Sequence, residues 1–237
     1  MYKRQEKAKT PGGQVLLAAK PPHKERMTWC TEDLTTLAKA AGAEIRTQVE
    51  ATEEIIAAYD PYAVICATGG SAVHPKAFSG ENVCTVTDVL TGNVKVKDKQ
   101  VAVIGSGMTG LETSELLVSQ GNHVTIVEMA PRIAPGAYFQ HVDDALPKLQ
   151  AAHTVFMVGQ KLLAVHPDNI ELENVDTGSK TMVPCDLVVL SLGVRPENGL
   201  YESIKSSFSR VYNIGDSNKI GRIHNATEAA YQLAMSL

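Results

Sequence analysis

Residues 101–128 constrain the fold more than any other stretch of this chain. They read as an apolar strand, the pattern G-x-G-x-x-G, a helix-forming segment and a second apolar strand that ends in an acid. Gly105 permits the tight turn after the first strand, Gly107 lets the backbone approach a pyrophosphate, and Gly110 lets the helix pack closely on the strand. The helix N-terminus adds free amides and a positive dipole end, which suit an anion. This order of elements predicts a Rossmann-type dinucleotide-binding unit.

The acid at the end of the second strand, Glu128, indicates which dinucleotide binds. A carboxylate there accepts hydrogen bonds from an adenine-ribose 2′-hydroxyl and repels a 2′-phosphate, which favours NAD(H) over NADP(H). Met108 and Thr109 open the helix and are predicted to line the phosphate site. Arg132 leaves an alternative open, because it either lies in a solvated loop or contacts a 2′-phosphate. An ordinary glycine turn in an unrelated α/β protein is the alternative for the whole stretch.

Composition excludes several other classes of protein. The 237 residues are 44% hydrophobic and 20% charged, as in a globular protein with a real core. A net charge of −4 gives no electrostatic case for nucleic acid or an anionic membrane. No apolar run approaches the ~20 residues of a membrane helix, and no signal-peptide core is present, so we expect a cytosolic protein. The spacing of Cys30, Cys66, Cys84 and Cys185 predicts neither a metal site nor a redox disulfide.

Strand and helix patterns alternate along the chain, which predicts a parallel α/β sheet. The predicted helices cover 33–41, 53–58, 140–152 (interrupted by Pro147) and 225–237. The predicted strands cover 44–49, 63–67, 154–158, 161–166, 169–173, 181–184, 186–192 and 211–216. Residues 71–98 are rich in proline, glycine and polar residues and predict a connection.

Six short motifs follow one another in a specific order over nearly the whole chain. They are residues 6–14, 21–24, 67–69, 105–128, 192–196 and 214–216. In this order the chain resembles the FAD- and NAD-binding half of NADH:flavin oxidoreductases of the 2,4-dienoyl-CoA reductase, 2-enoate reductase and trimethylamine dehydrogenase type. More broadly, it is similar to flavoprotein reductases with two dinucleotide-binding domains. The resemblance implies a Rossmann-like α/β fold in which an NAD domain is inserted into a FAD domain.

The resemblance also implies domain boundaries and FAD contacts. Residues 1–95 and 196–237 would form the two parts of a FAD-binding-like domain, and residues 96–195 would form the NAD(H)-binding domain. At the adenosine end, the implied FAD contacts are Glu6 at the ribose and the backbone of Val49 at the adenine. Gly12, Gly13 and Gln14 would lie along the cofactor, and Ala67, Thr68 and Gly69 would lie near the pyrophosphate. Gly215 and Asp216 would contact the ribityl chain and phosphate, and Asn225 and Ala226 would lie at the start of a helix aimed at the flavin.

The chain departs from the family pattern before Glu6. In the family, a strand, a G-x-G-x-x-G turn and a helix precede this acid, whereas the sequence here begins at Met1. The resemblance therefore implies an N-terminally truncated FAD domain that holds FAD poorly, while the NAD(H) site is unaffected. Simpler roles stay open for three features. In these alternatives, Glu6 is a surface acid near the chain terminus, Asp216 caps a turn through its carboxylate, and the pair Gly12–Gly13 forms an ordinary turn.

The predicted function is an NADH-dependent flavin oxidoreductase module that passes hydride from NADH to FAD. By resemblance it is part of an enoate or dienoyl-CoA reductase-like enzyme, with an FMN-bearing barrel as the partner domain. Hydride transfer between two cofactors needs no acid or base side chain, so no catalytic residue is predicted. The alternative is a nucleotide-binding or structural module without turnover.

Overall fold

The computed structural model describes residues 2–237. The strands are β1 (Lys3–Glu6), β2 (Glu44–Thr47), β3 (Val64–Cys66), β4 (Gly70–Ala72), β5 (Val83–Thr85), β6 (Gln100–Ile104), β7 (His123–Glu128), β8 (Val155–Val158), β9 (Gln160–Val165), β10 (Asn169–Asn174), β11 (Lys180–Pro184), β12 (Leu187–Leu190), β13 (Val194–Pro196) and β14 (Val211–Asn213). The α-helices are α1 (Gln14–Ala18), α2 (Thr28–Ala40), α3 (Glu53–Ala57), α4 (Val86–Thr91), α5 (Met108–Ser119), α6 (Phe139–Ala151), α7 (Gly199–Ile204) and α8 (Ile223–Ser236).

The chain forms two compact units, and each consists of more than one segment. Unit A comprises residues 2–19, 26–71 and 194–237, and unit B comprises residues 20–25 and 72–193. Residues 72–95 thus pack in unit B, ahead of the boundary that the resemblance implies. The reason is that β5 pairs with β12 of the central sheet of unit B.

Unit B is built on a five-stranded parallel sheet in the order β5-β12-β6-β7-β8. Its central strand β6 is buried on both faces, because side chains alternate along a strand. Val101 and Val103 enter one core cluster with residues of α4, α5 and α6, such as Leu111. Ala102 and Ile104 enter a second cluster, which the antiparallel sheet β9-β10-β11 covers. A fully parallel sheet with both faces covered is the architecture that the alternating pattern predicts.

Unit A has two separate pairs of parallel strands. β1 pairs with β2, and β14 pairs with β3, in different sheets. Its core cluster consists of three buried residues, Ile56, Cys66 and Ile204, with partly buried neighbours. Helices α2 and α8 contain no buried residue. Unit A therefore buries far less apolar surface than unit B.

The predicted connection over 71–98 is wrong, because it contains β4, β5 and the short helix α4. The Asp88 carboxylate accepts hydrogen bonds from the Thr85 amide and hydroxyl, which stabilises the start of α4. Gly92 ends the helix in the left-handed conformation, with φ of 78°. A helix of six residues is too short for its apolar periodicity to stand out in the sequence.

The predicted interruption at Pro147 is also wrong. Helix α6 runs without a break through Pro147, which lies between the buried side chains Ala145 and Leu149. A proline inside a helix removes one backbone hydrogen bond and costs about 3 kcal/mol. The packing of the apolar face of α6 against the sheet offsets this cost.

Candidate dinucleotide-binding site

The three glycines of the G-x-G-x-x-G turn meet different surroundings in unit B. A Cβ atom at Gly105 would lie 2.3 Å from the Ser191 carbonyl oxygen, and one at Gly110 would lie 2.2 Å from the Gly105 carbonyl oxygen. Gly105 also has a φ of +100°, which side chains rarely adopt. A Cβ atom at Gly107 would meet nothing within 4 Å. The first and third glycines are therefore required by packing, whereas the second leaves open space in front of the turn.

Helix α5 begins directly behind this open space. Its N-cap residue is Gly107, and no side chain caps the helix. The first amides of a helix have no intrahelical partner, so those of Met108 and Thr109 are available to a ligand. Gly107 and Thr109 are exposed and Met108 is half-buried. The uncapped N-terminus, with the positive end of its dipole, fits an anionic pyrophosphate.

The carboxylate of Glu128 lies at the end of β7, the strand next to β6. One carboxylate oxygen, Oε2, accepts hydrogen bonds from the Ser106 amide at 2.9 Å and the Ser106 hydroxyl at 2.6 Å. The other, Oε1, accepts one from the Ala130 amide at 2.8 Å. Burial raises the pKa of Glu128, but the hydrogen bonds from Ser106, Ala130 and Met129 outweigh burial and hold this pKa below its ordinary value. The side chain is thus an ionised acceptor at neutral pH.

These parts fit the two ends of an adenosine diphosphate group. The open space at Gly107 and the α5 N-terminus suit the pyrophosphate, and the remaining acceptor capacity of Glu128 suits a ribose hydroxyl. Arg132 is exposed in the loop after β7. Glu112, to which we assign no chemistry, forms an ion pair of 2.6 Å with Lys24.

The first group of predicted FAD residues lies near β1 in unit A. Glu6 ends β1, and its carboxylate accepts a hydrogen bond from the Ala8 amide at 3.0 Å. The Val49 amide donates to the Glu6 carbonyl oxygen at 3.0 Å, so these two residues lie together. Gly12 and Gly13 both have positive φ, and Gln14 begins α1.

The second group follows β3 and β14. Ala67, Thr68 and Gly69 follow β3, and the Thr68 hydroxyl donates to the Glu197 carbonyl oxygen. The Gln14 side-chain amide donates to the Gly70 carbonyl oxygen at 2.7 Å, which joins residues 12–14 to residues 67–70.

The third group lies at the start of α8. The Asp216 carboxylate accepts a hydrogen bond from the Gly221 amide at 3.0 Å, and a Cβ atom at Gly215 would lie 3.5 Å from that of Ala226. The helix begins at Ile223, two residues before the expected start, so Asn225 and Ala226 lie in its first turn. The Asn225 side chain accepts a hydrogen bond from the Arg222 amide, which stabilises the helix start.

Among residues 2–237, no cluster of His, Cys, Asp and Glu could hold a metal ion. Over the same range, none of the helices combines the length and the hydropathy of a membrane span. Cys84 is buried, and burial together with nearby Asp88 raises its pKa to about 12, so its thiol stays protonated at neutral pH.

The interaction that the sequence did not reveal is that of Ser106, which occupies a variable position of the glycine pattern. Its side chain is fully buried and contacts Glu128, which is distant in sequence. The only signal in the sequence is a short polar residue at this position, and that signal is weak.

Comparison with known proteins shows which family this chain is similar to. Residues 3–230 match the family model described as pyridine nucleotide-disulphide oxidoreductase. The chain is 32% identical over 238 residues to an NADH oxidase of Thermoanaerobacter brockii, covering 98% of this chain and 36% of that protein. It is 31% identical over 232 residues to a bilirubin reductase of Mediterraneibacter gnavus (strain CC55_001C), covering 97% of this chain and 36% of that one.

A solved structure has the same fold. A 2-naphthoyl-CoA reductase complex superimposes with a TM-score of 0.92 at 23% identity, covering 100% of this chain and 36% of that one. The chain thus spans about a third of the length of these relatives. The match to the family model and the identity to the NADH oxidase together show that this chain belongs to the pyridine nucleotide-disulphide oxidoreductase family, whose members are flavoprotein oxidoreductases that use FAD and NAD(H).

Proposed function

We propose that unit B binds NADH at the turn 105–110 and that the chain serves as an NADH-dependent flavin oxidoreductase module. The observation that carries this proposal is the open space at Gly107 in front of the uncapped N-terminus of α5. The ionised carboxylate of Glu128 at the neighbouring strand end supports NADH over NADPH, because it would face a 2′-phosphate of like charge.

Unit A is the proposed FAD-binding part. Glu6 and Asp216 would accept hydrogen bonds from ribose and ribityl hydroxyls, respectively. The loops 12–14 and 67–69, joined by the bond from Gln14 to Gly70, would lie along the cofactor. When both cofactors are bound, they supply the chemistry, a hydride transfer from NADH to FAD. The protein binds and orients them and needs no acid or base side chain for this step.

The larger enzyme remains a proposal. The relatives include a bilirubin reductase and a cinnamate reductase, and each is about three times as long as the part that this chain matches. We propose that the module delivers electrons to an FMN-bearing barrel that reduces an activated alkene, as in enoate and dienoyl-CoA reductases. The cytosolic location expected from the sequence stays a prediction.

A second function, nucleotide binding without turnover, has two observations in its favour. The pairs β1-β2 and β3-β14 do not form one sheet within residues 2–237. The sequence also contains only one G-x-G-x-x-G turn, which lies in unit B. Unit A on its own therefore offers no glycine-rich helix N-terminus of this type for a second pyrophosphate.

The visible spectrum of the purified chain separates these functions. A yellow protein whose flavin absorbance is bleached by NADH without oxygen supports the oxidoreductase module. A colourless protein that binds NADH in calorimetry supports the nucleotide-binding module. If the chain binds no NADH, the assignment of the turn 105–110 is wrong.

A further inference from the structure

Ser106 is the single residue between Gly105 and Gly107, and it is 0% exposed. Its hydroxyl oxygen accepts a hydrogen bond from the Ala134 amide at 2.8 Å. The same hydroxyl lies 2.6 Å from Oε2 of Glu128. A buried hydroxyl with two such short contacts connects three parts of unit B: the glycine turn, the end of β7 and the loop after it.

The direction of these hydrogen bonds follows from the chemistry of the groups. A backbone amide can only donate, so the Ser106 oxygen is the acceptor toward Ala134. An ionised carboxylate can only accept, so the single hydroxyl proton of Ser106 points at Glu128. The arrangement therefore favours the charged form of the acid and leaves the hydroxyl no other donor role.

The carboxylate is consequently held from two sides. Oε2 receives the amide and the hydroxyl of Ser106, and Oε1 receives the Ala130 amide. Each carboxylate oxygen has about two acceptor sites, and the two donors of Ser106 fill those of Oε2, so a ligand hydroxyl would bond to Oε1. A side chain fixed in this way cannot easily rotate away from a bulky, charged 2′-substituent.

We infer that Ser106 is a positioning residue that fixes Glu128 for the selection of NAD(H) against NADP(H). The inference rests on the proposed dinucleotide site and deepens it. Ser106 acts through the carboxylate and need not contact the nucleotide base or the ribose itself. Its loss frees Glu128 to turn toward solvent, which weakens the ribose contact and relaxes the exclusion of a 2′-phosphate.

The test compares Ser106→Ala with the wild type and with Ser114→Ala. Ser114 is equally buried, and its hydroxyl donates a hydrogen bond to the Gly110 carbonyl oxygen. Ser114→Ala is therefore the matched control, because it also removes one buried hydroxyl but not one that bonds to Glu128. Dissociation constants for NAD⁺ and NADP⁺ are measured by calorimetry on all three proteins. We expect Ser106→Ala to weaken NAD⁺ about tenfold, as for one charge-assisted hydrogen bond, and to leave NADP⁺ unchanged or tighter. Ser114→Ala should keep the wild-type ratio.

A double-mutant cycle separates positioning from a general structural effect. If Ser106 acts through the carboxylate, Ser106→Ala should change NAD⁺ affinity less than twofold in a Glu128→Gln background. If Ser106→Ala does not fold, Ser106→Cys fills nearly the same volume with a weaker donor and should shift the ratio in the same direction.

Two results would overturn the inference. One is an equal loss of NAD⁺ and NADP⁺ affinity in the serine variant, and the other is an undiminished loss in the Glu128→Gln background. A wild-type chain that binds neither dinucleotide would instead refute the proposed site, and a melting curve for each variant distinguishes lost binding from lost folding.

Discussion

At the scale of single residues, the glycines of one turn divide into two classes. Gly105 and Gly110 make room for neighbouring backbone, since a Cβ atom at either would overlap a carbonyl oxygen. At Gly107, by contrast, an added Cβ atom would contact no atom of the protein within 4 Å. The protein does not need this space for its own packing, but a bound ligand would need it. A substitution at Gly107 therefore tests ligand binding without disturbing the fold.

Gly107→Val should abolish NADH binding and leave the melting temperature of unit B almost unchanged. The backbone at Gly107 has φ of −54° and ψ of 171°, which a side chain tolerates, and no atom lies within 4 Å of the position of an added Cβ atom. Gly110→Ala is the matched contrast. Its Cβ atom would overlap the Gly105 carbonyl oxygen, and we expect a loss of about 3 kcal/mol or more of stability. Calorimetry and denaturant unfolding measure both effects, and unchanged NADH affinity in the valine variant would show that the turn is not the site.

Glu128 also carries a pH-dependent part of the stability. Its pKa is held below the ordinary 4.5, so ionised Glu128 stabilises the folded state above that pH. This contribution decreases as the pH falls below 4.5 toward the folded-state pKa. We therefore expect the stability difference between the wild type and Glu128→Gln to be largest near neutral pH and to shrink in acid. Denaturant unfolding over this range measures it, and a difference that grows in acid would contradict the lowered pKa.

At the scale of secondary-structure elements, the two units differ in how their strands are supported. In unit B, β6 and β12 lie inside a sheet and are buried on both faces. In unit A, β1 and β3 each have one paired neighbour, and Ile65 in the middle of β3 is 46% exposed. Strands with an open edge and few buried contacts open at low free-energy cost.

Hydrogen exchange should report this difference directly. We expect the amides of β1, β3 and α2 to exchange much faster than those of β6, β7 and β12, since helix α2 contains no buried residue. Mass spectrometry of peptic peptides resolves these segments. Similar protection of the strands in both units would mean that unit A is as well supported as unit B.

At the scale of the whole molecule, the chain corresponds to about a third of the relatives that it matches. Its family uses FAD and NAD(H), and the two units differ in what they offer these cofactors. Unit B presents a complete glycine turn, helix and acid. Unit A presents acids and loops at strand ends, without a second G-x-G-x-x-G turn in the sequence.

We expect the 237-residue chain to hold clearly less than one FAD per molecule. A version with an added strand, glycine turn and helix ahead of β1 should bind FAD fully, because the added strand can pair with the open edges of β1 and β3. The control is the same extension with the second glycine of its turn replaced by valine. Flavin absorbance per chain and anaerobic bleaching by NADH give the comparison. Stoichiometric FAD in the chain of 237 residues, with equally fast bleaching, would refute this prediction.

The sequence by itself determined the parts of this protein that are encoded within short stretches. The strand, turn, helix and strand at 101–128 were predictable because apolar periodicity and glycine spacing are local, and the structure confirms these elements. The family was predictable as well, because its motifs keep their order along the chain. The assignments of individual cofactor contacts stay predictions, including those of Glu6 and Asp216.

Only the tertiary structure decided what depends on residues that are distant in sequence. The bonds from Ser106 to Glu128 and from Ala134 to Ser106 form because the turn after β6 meets the end of β7 in the folded sheet. Helix α4 and strand β5 are too short to be recognised alone, and pairing of β5 with β12 and burial against the core stabilise them. The physical reason is the same in each case, since burial and pairing are properties of neighbours in space and local sequence does not contain them.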